Sequence, residues 1–226
     1  MGTLSQEQVA LLTDYNPDSA YSIAYHTVYA NIRFNWDSER VKQQTILITT
    51  PTSNSRQSEI VANVAVAAAQ NGTPTIVVDA NFRTPSLQQR FSVGESKGLS
   101  DLLKGNVPVS QALASHLCTT FVPGLRLLCA GKAPIQTPNP LLSEQLRDVI
   151  AGLRQFLADT ENKPSLIIFN SPPVLAGLES SAISSAVEQT FLTITVGRTT
   201  RTQAKQAQEQ LQRAHAKLAG IILLDR

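Results

Sequence analysis

Short apolar runs alternate with longer amphipathic segments along almost the whole chain. The short runs are rich in β-branched residues and are bounded by turn residues, which is the pattern of buried strands. They predict strands at 45–49, 75–79, 125–129, 165–169, 190–196 and 219–224. Apolar residues at helical spacing predict helices at 19–34 and near 58–70, 99–104, 109–114, 140–158, 179–186 and 201–216.

This regular alternation also predicts the fold class. Strands that alternate with helices build a parallel sheet that is covered by helices on both sides. We therefore expect an α/β fold with a mainly parallel, twisted sheet flanked by helices on both faces. The size fits one domain at 16–226, with the Pro-containing segment 131–140 as a loop inside it. The polar residues 1–15 are expected to form a flexible N-terminal segment.

Composition and charge narrow the function classes. The chain has 226 residues and a formal net charge of +2, with its Lys and Arg dispersed among Asp and Glu, so we do not expect a nucleic-acid partner. No apolar run approaches 18 residues, so no membrane span is expected and the chain has a cytoplasmic character. Cys118 and Cys129 are expected to be buried thiols, and His26, His116 and His215 lack metal-ligand spacing, so no metal site is predicted.

The residues between the strand at 45–49 and the helix at 58–70 lie where a phosphate-binding loop is expected. Such a loop needs glycines for close backbone approach, a lysine for the β- and γ-phosphates, and a Ser or Thr hydroxyl for Mg²⁺. Here Asn54 and Arg56 stand at glycine positions and Gln57 stands at the lysine position, while Ser58 keeps the hydroxyl. Each lost charge-assisted hydrogen bond removes about 1.5–3 kcal/mol, so we expect MgATP binding to be weakened by about 10²–10⁴-fold. A loop freed from phosphate binding is also a candidate surface for a protein partner.

Further segments follow this loop in a fixed order. They are Ala62-Asn63-Val64-Ala65, Ala69-Gln70-Asn71-Gly72, Val78-Asp79-Ala80-Asn81-Phe82-Arg83-Thr84-Pro85, Gly98-Leu99-Ser100-Asp101-Leu102-Leu103-Lys104-Gly105, Gly131 with Pro138-Asn139-Pro140, and Asn170-Ser171-Pro172-Pro173-Val174. As an ordered set they resemble the cytoplasmic domain of the bacterial tyrosine kinases (BY-kinases) of capsule and exopolysaccharide synthesis. The resemblance covers roughly residues 16–224. It implies a P-loop NTPase fold of the MinD-like type.

The same resemblance identifies chemical positions that differ from the family. In the family's second acidic motif Asp79 persists but Asn81 takes the place of the second Asp, and in the third motif Asn170 replaces Asp. The family uses these carboxylates for Mg²⁺ and phosphoryl transfer, and a neutral amide is a poorer ligand for that cation. We therefore predict no catalytic residue and weak or absent binding of ATP and Mg²⁺, with structural roles for Ser58 and Asp79. The predicted degenerate pocket consists of Asn54, Arg56, Gln57, Ser58, Asp79, Asn81 and Asn170.

The first predicted helix carries a stripe of tyrosines. Tyr21, Tyr25 and Tyr29 are spaced by four residues, so they share one face. Two interpretations are open: the stripe packs against the sheet, or it forms an interaction face. The family's subunit-joining motif on this helix maps onto Ile23, His26 and Tyr29 and is not retained, so an oligomeric ring is not expected.

Taken together, the resemblance implies a catalytically inactive BY-kinase-like domain, a pseudokinase. It would act as a binding or regulatory module in polysaccharide polymerisation and export, with a membrane-embedded chain-length or co-polymerase protein as its partner. That partner, or a further transmembrane portion, would hold it at the inner face of the plasma membrane. Two alternatives remain: a divergent ATP-dependent tyrosine kinase that uses Arg56 as a displaced phosphate-binding charge, and a ParA-like positioning ATPase.

Overall fold

The computed structural model describes residues 11–54, 56–105, 107–132 and 140–225. The strands are β1 (Gln43–Thr49), β2 (Thr75–Asp79), β3 (Leu117–Thr119), β4 (Leu125–Leu128), β5 (Ser165–Asn170), β6 (Gln189–Thr195) and β7 (Leu218–Leu224). The helices are α1 (Ala20–Phe34), α2 (Gln57–Gln70), α3 (Leu87–Arg90), α4 (Leu99–Leu102), α5 (Val109–His116), α6 (Gln145–Thr160), α7 (Glu179–Ala186) and α8 (Arg201–Arg213). Short 3₁₀ turns lie at Leu12–Asp14, Pro140–Leu142 and Val174–Ala176.

These strands form a single sheet in the order β3-β4-β2-β5-β1-β6-β7. Neighbours in the sheet run parallel, except that β3 pairs antiparallel with β4. Strands β1, β2 and β5 are buried along almost their whole length, as expected for parallel strands covered on both faces. The predicted α/β class with a mainly parallel sheet is confirmed.

Helices cover both faces of the sheet and build two main cores. Side chains of α1, α2 and α3 pack on one face in a cluster that includes Tyr29, Ile48, Val64 and Phe91. Side chains of α4, α5, α6 and α7 pack on the other face. A smaller cluster joins α8 to Leu192 of β6. The helix placement is therefore also as predicted.

Element boundaries differ from the prediction in a few places. The segment at 140–158 is interrupted: a 3₁₀ turn at Pro140–Leu142 precedes α6, which extends to Thr160. Helix α8 ends at Arg213 instead of 216, because His215 adopts a positive φ of 57°. Strand β3 and helix α3 were not predicted, since each is too short to show a periodic pattern. Of the predicted loop 131–140, residues 133–139 lie outside the described part of the chain.

Two residues of the segment at 1–15, which was expected to be flexible, are packed in the core. Leu11 and Leu12 are 1% and 2% exposed and belong to the core on the α1–α2 face. The backbone N–H of Leu12 also donates to Oδ1 of Asn63 at 2.9 Å. Two apolar side chains and one buried acceptor are enough to fix this stretch against α2, whereas residues 1–10 lie outside the described part.

The two cysteines are both free, and they differ in burial. Cys129 is fully buried, and burial raises the pKa of its thiol to about 12. Cys118 is only half-buried on the edge strand β3. The expectation of two buried thiols is thus confirmed for Cys129 and wrong for Cys118, because within the described part of the chain β3 pairs with β4 alone.

Candidate functional site

The predicted pocket residues converge at the carboxyl ends of the central strands. Asp79 and Asn170 are the last residues of β2 and β5, and the two residues are register partners in the sheet. The loop that follows β1 and the start of α2 lie beside them, because β1 pairs with β5. In open α/β sheets this edge is where ligands usually bind. The sheet topology therefore brings the predicted positions together.

The loop between β1 and α2 is held by side chains rather than by glycine geometry. Oδ1 of Asn54 accepts from the backbone N–H of Arg56 at 2.9 Å, which forms an Asx turn. The Asn54 amide nitrogen donates to Oγ1 of Thr195 at the end of β6, at 2.8 Å. Neither Asn54 nor Arg56 has a positive φ, and Arg56 lies at −90°. The loop thus adopts a conformation that requires no glycine at these two positions.

Gln57, at the lysine position, takes part in a buried chain of amides. Its Nε2 donates to the carbonyl oxygen of Ser171 at 2.6 Å and to Oδ1 of Asn170 at 3.3 Å. Nδ2 of Asn170 then donates to Oδ1 of Asp79 at 3.0 Å. All three side chains are at most 4% exposed. The groups that would contact phosphate and Mg²⁺ in a P-loop protein bond to one another here.

Asp79 is the one carboxylate in this chain of amides, and its oxygens are fully engaged. Oδ2 accepts from the backbone N–H groups of Ser86 and Leu87 at 3.0 and 3.1 Å, at the start of α3. Oδ1 accepts from the N–H of Asn81 at 3.2 Å as well as from Asn170. Burial raises the pKa of the Asp79 carboxyl, and these hydrogen bonds only partly offset that effect. Its geometry is that of a turn-stabilising residue.

The raised pKa of Asp79 predicts a specific pH dependence. A carboxyl that binds its proton more tightly in the folded chain destabilises the fold as pH rises from the unfolded pKa, about 3.9, through the folded pKa. The native chain should therefore lose stability relative to the Asp79→Asn variant as pH rises across that window. The free energy of unfolding of the native chain minus that of the variant should fall. Denaturant titrations of both proteins from about pH 4 upward measure it. A difference that rises with pH would contradict the assigned direction.

Ser58 and Asn81 have partners that sequence reasoning did not identify. Oγ of Ser58 accepts from Nε of Arg90 at 2.9 Å, so a guanidinium lies against the hydroxyl that holds Mg²⁺ in a P-loop. Arg90 is 9% exposed, and burial lowers its pKa. Asn81 bonds within its own turn, from Nδ2 to Oγ1 of Thr84 and from the Thr84 N–H to Oδ1. Arg90 follows no motif in the sequence, so nothing short of the fold places it here.

The tyrosine stripe on α1 is mostly internal. Tyr25 and Tyr29 are each 7% exposed, and Tyr29 hydrogen-bonds to Thr73 through their hydroxyls. The hydroxyls of Tyr21 and Tyr25 donate to Oε1 of Glu59 at 3.2 and 3.4 Å. The interaction-face interpretation is therefore wrong for Tyr25 and Tyr29, because both rings face α2 and the core. Tyr21 is half-buried and stacks on the ring of Tyr15.

The carboxylate of Glu59 connects the tyrosine stripe on α1 to the loop between β1 and α2. Besides the two tyrosines it accepts from NH2 of Arg56 at 3.2 Å. Burial lowers the pKa of the Arg56 guanidinium, but the hydrogen bond to Glu59 and the nearby negative charges outweigh burial, so the pKa is raised. NH1 of Arg56 donates to the backbone oxygen of Asp225 at 3.2 Å. The Arg56 side chain thus bridges α2 and the residue after β7. Sequence reasoning missed Glu59, although an acidic residue in the first turn of a helix is a visible signal.

The described residues contain neither a metal-binding cluster nor a membrane-crossing helix. Within residues 11–54, 56–105, 107–132 and 140–225, no group of three or more His, Cys, Asp or Glu side chains is placed to hold a metal ion. Over the same residues, no helix combines the length and apolar character needed to cross a membrane.

Comparisons with known proteins agree on one group, the bacterial tyrosine-protein kinases. No protein-family model matches the chain. The tyrosine-protein kinase YwqD of Bacillus subtilis (strain 168) is 28% identical over 224 residues, which cover 98% of this chain and 87% of the relative. The tyrosine-protein kinase CpsD of Streptococcus agalactiae is 28% identical over 200 residues, covering 88% and 81%.

Solved structures that superpose on this chain include a tyrosine kinase domain and a MinD protein. The BceF tyrosine kinase domain superposes with a TM-score of 0.77 at 26% identity, covering 98% of this chain and 84% of that one. The MinD cell division protein of Aquifex aeolicus superposes with a TM-score of 0.58 at 17% identity, covering 80% and 68%, and shares the fold alone. The chain is thus a homologue of the bacterial tyrosine-protein kinases, and it has the MinD-like P-loop fold of their kinase domains.

Proposed function

We propose that this chain is a pseudokinase: a BY-kinase-like domain that does not bind MgATP productively and serves as a binding or regulatory module. The observation that carries the proposal is the bonding of Gln57. Its amide lies where the phosphate-binding lysine belongs and donates to Asn170 and to the Ser171 carbonyl. A neutral amide supplies no charge to a polyphosphate, and binding one would first break these buried hydrogen bonds.

The residues at the positions that hold Mg²⁺ in a P-loop kinase support the same proposal. A P-loop kinase offers Mg²⁺ a hydroxyl and carboxylate oxygens. Here Arg90 donates to the Ser58 hydroxyl, and the Asp79 oxygens accept from three backbone N–H groups and from Asn170. A cationic guanidinium beside the cation position opposes Mg²⁺ by charge repulsion. These residues do not fit MgATP.

The alternative of a divergent kinase needs Arg56 to act as a phosphate-binding charge. The Arg56 guanidinium instead bonds to Glu59 and to the Asp225 carbonyl. Reaching a phosphate would cost both contacts and would leave the Glu59 carboxylate without its cation. The ParA-like alternative depends on the same nucleotide chemistry and is opposed by the same contacts.

The biological setting comes from the relatives. The chain resembles kinases of capsule and exopolysaccharide synthesis, so we place its action in that process, bound to a membrane-embedded chain-length or co-polymerase protein. Such a partner would hold the domain at the inner face of the plasma membrane. The contact surface on this chain is not Tyr25 or Tyr29, since both side chains are buried.

Calorimetric titration with ATP and ADP, each with Mg²⁺, tests the proposal. We expect the native chain to show no saturable heat up to about 1 mM nucleotide. A restored variant carries Asn54→Gly, Arg56→Gly, Gln57→Lys and Asn170→Asp, which return the loop glycines, the lysine and a carboxylate. It should bind at least about tenfold more tightly, because each recovered charge-assisted bond contributes about 1.5–3 kcal/mol.

A matched variant separates charge from loop shape. It carries the same changes at 54, 56 and 170 but has Gln57→Met, which has similar length and no charge. We expect this variant to bind no better than the native chain, and thermal unfolding of all three proteins checks that they fold. Micromolar binding of MgATP by the native chain would overturn the proposal, and transfer of phosphate to a tyrosine substrate would establish the divergent-kinase alternative.

A further inference from the structure

Three exposed apolar side chains lie together along the ends of β6 and β7. Val196, Ile221 and Leu223 are 52%, 59% and 69% exposed. Ile221 and Leu223 are the register partners of Leu192 and Ile194 in β6. Val196 follows the end of β6, and its backbone N–H still bonds to β7. Contiguous exposed apolar groups of this kind mark a contact surface, whereas single ones need no explanation.

These side chains lie on the face of the sheet that α8 covers. Leu192 of β6 packs in a cluster with Ala207 and Leu211 of α8. Ile221 pairs with Leu192, and Leu223 is two residues further along β7, so both point to that same face. Helix α8 therefore covers β6 but leaves the apolar side chains of the outer strand exposed.

The side of α8 that is turned toward β7 carries cations. Gln210 donates to the carbonyl oxygens of Val174 and Gly177, so its side of the helix faces the 3₁₀ turn that follows β5. Arg201 and Lys205 precede Gln210 by nine and five residues, so at about 100° per residue they project from the opposite side. Because β7 lies beyond β6 in the strand order, that opposite side faces β7. Both cations are exposed.

Positive charge is concentrated in this part of the chain. Residues 196–226 contain six Lys or Arg against two Asp or Glu, whereas residues 1–195 contain 13 against 15. The two acids are Glu209, which lies 3.9 Å from Lys205, and Asp225 at the end of β7. Arg198 and Arg201 are exposed at the start of α8, where the helix dipole adds a partial positive charge. We define the α8–β7 face by its apolar and cationic members, which are Val196, Ile221, Leu223, Arg198, Arg201 and Lys205.

We propose that the α8–β7 face binds the anionic surface of a lipid bilayer. Anionic headgroups attract clustered Lys and Arg, and the adjoining interface accepts apolar side chains, so one partner satisfies both halves of the face. The three apolar side chains are more than half exposed, so they project from the surface, and a fluid bilayer needs no complementary shape to receive them. An acidic protein segment would match only the charges. The binding involves no nucleotide, so this proposal and the pseudokinase proposal can fail independently.

Co-sedimentation of the full chain with vesicles tests the proposal. Vesicles of phosphatidylcholine and phosphatidylglycerol should bind the native chain, vesicles of phosphatidylcholine alone should not, and added salt should weaken the binding. A triple variant with Arg198→Gln, Arg201→Gln and Lys205→Gln should bind about 100-fold more weakly, because each basic residue near an anionic leaflet strengthens binding about fivefold.

A matched triple variant separates the face from net charge. It carries Arg40→Gln, Lys42→Gln and Lys163→Gln, which remove three exposed cations at the amino ends of β1 and β5. These strands are parallel to β6, so the amino ends lie at the edge of the sheet opposite Val196. This control should bind anionic vesicles within about twofold of the native chain, apart from the long-range charge that salt screens.

The apolar half of the face has its own test. Ile221→Gln with Leu223→Gln keeps every charge and should weaken binding to anionic vesicles at least about tenfold. Phe121→Gln is the matched control, because Phe121 is 57% exposed and follows β3 at the opposite edge of the sheet. All of the substituted side chains are exposed, and thermal unfolding checks that the variants fold.

Several outcomes would overturn the proposal. They are a native chain that does not bind anionic vesicles, a native chain that binds uncharged vesicles equally well, and a control triple variant that loses as much binding as the triple variant of the face. Polyglutamate is the probe for an acidic protein partner. If the native chain binds polyglutamate more tightly than anionic vesicles, the face belongs to a protein contact and the lipid assignment is wrong.

Discussion

Replacing Asn170 with Asp, the residue that the resemblance to bacterial tyrosine kinases implies at this position, is expected to destabilise this chain by about 3–5 kcal/mol at neutral pH. Nδ2 of Asn170 donates to Oδ1 of Asp79 at 3.0 Å, and both side chains are buried. The substitution turns that donor into a second carboxylate beside Asp79, and Gln57, which bonds to the other side-chain atom of residue 170, is a neutral amide that does not balance the charge. Chemical denaturation in the presence of EDTA measures the loss of free energy of unfolding.

The pH dependence identifies the cause of this loss. A carboxylate beside Asp79 in a buried site has a raised pKa, because its neighbour's charge and its burial both disfavour ionisation. A group with a raised folded pKa costs nothing below its unfolded pKa, and its cost grows as pH rises through the folded pKa. The Asn170→Asp variant should thus approach native stability at about pH 4, where the introduced carboxyl is protonated and can still donate to Asp79.

A second substitution provides the control. Gln57→Lys brings an ammonium group to a position that already lies within hydrogen-bond distance of residue 170. Alone it should also destabilise, because it buries a cation among neutral amides. Combined with Asn170→Asp it forms an ion pair. The loss of free energy of unfolding in the double variant should therefore be smaller than the sum of the losses in the two single variants. Additive losses, or a loss for Asn170→Asp that does not vary with pH, would count against the amide-chain description.

The fold could be predicted because its main signals are local. Strands β1, β2 and β5 are short apolar runs between turn residues, and parallel burial on both faces is what makes them uniformly apolar. The start of α1 was also predictable, since Ser19 caps it by accepting from the N–H of Ser22 at 3.1 Å. Helix α3 has four residues and no such pattern, so only its contact with Asp79 reveals it.

The positions of the candidate-site residues could be predicted from the sequence, but their hydrogen-bond partners could not. The replacements at Asn54, Gln57 and Asn170 can be read directly from the chain once the strand–loop–helix order is known. That Gln57 and Asn170 bond to each other depends on the register of β5 against β1 and β2, which a single sequence does not specify. Arg90 reaches Ser58 across 32 residues of sequence, so no local pattern could have indicated it.

The tyrosine stripe illustrates the same limit. Spacing placed Tyr21, Tyr25 and Tyr29 on one face of α1, and that geometry holds. Whether the face points inward depends on α2, whose Glu59 accepts from two of the hydroxyls. Periodicity gives the direction of a side chain relative to its own helix, and tertiary packing decides what lies in that direction.

Gly98→Ala is expected to cost about 3 kcal/mol or more of folding free energy. A methyl group at this position would lie 2.2 Å from the carbonyl oxygen of Cys129 and 2.4 Å from the N–H nitrogen of Gly131. Both atoms are backbone, so neither moves without displacing the chain. The N–H groups of Leu99 and Ser100 donate to the carbonyls of Cys129 and Ala130 at 2.8 and 3.0 Å, and a displacement would lose these bonds too. Thermal and denaturant unfolding measure the effect.

Gly94→Ala is the matched control, because a methyl group there meets no atom within 4 Å. It should be neutral or stabilise the chain by up to about 1 kcal/mol through a less flexible unfolded state. A loss at Gly98 no larger than that at Gly94 would contradict the close backbone approach. The contrast matters because the segment at 98–105 is one of those by which this chain resembles the kinases. At Gly98 the small side chain is required by the close approach to the backbone of Cys129 and Gly131, which does not involve Gln57 or Asn170.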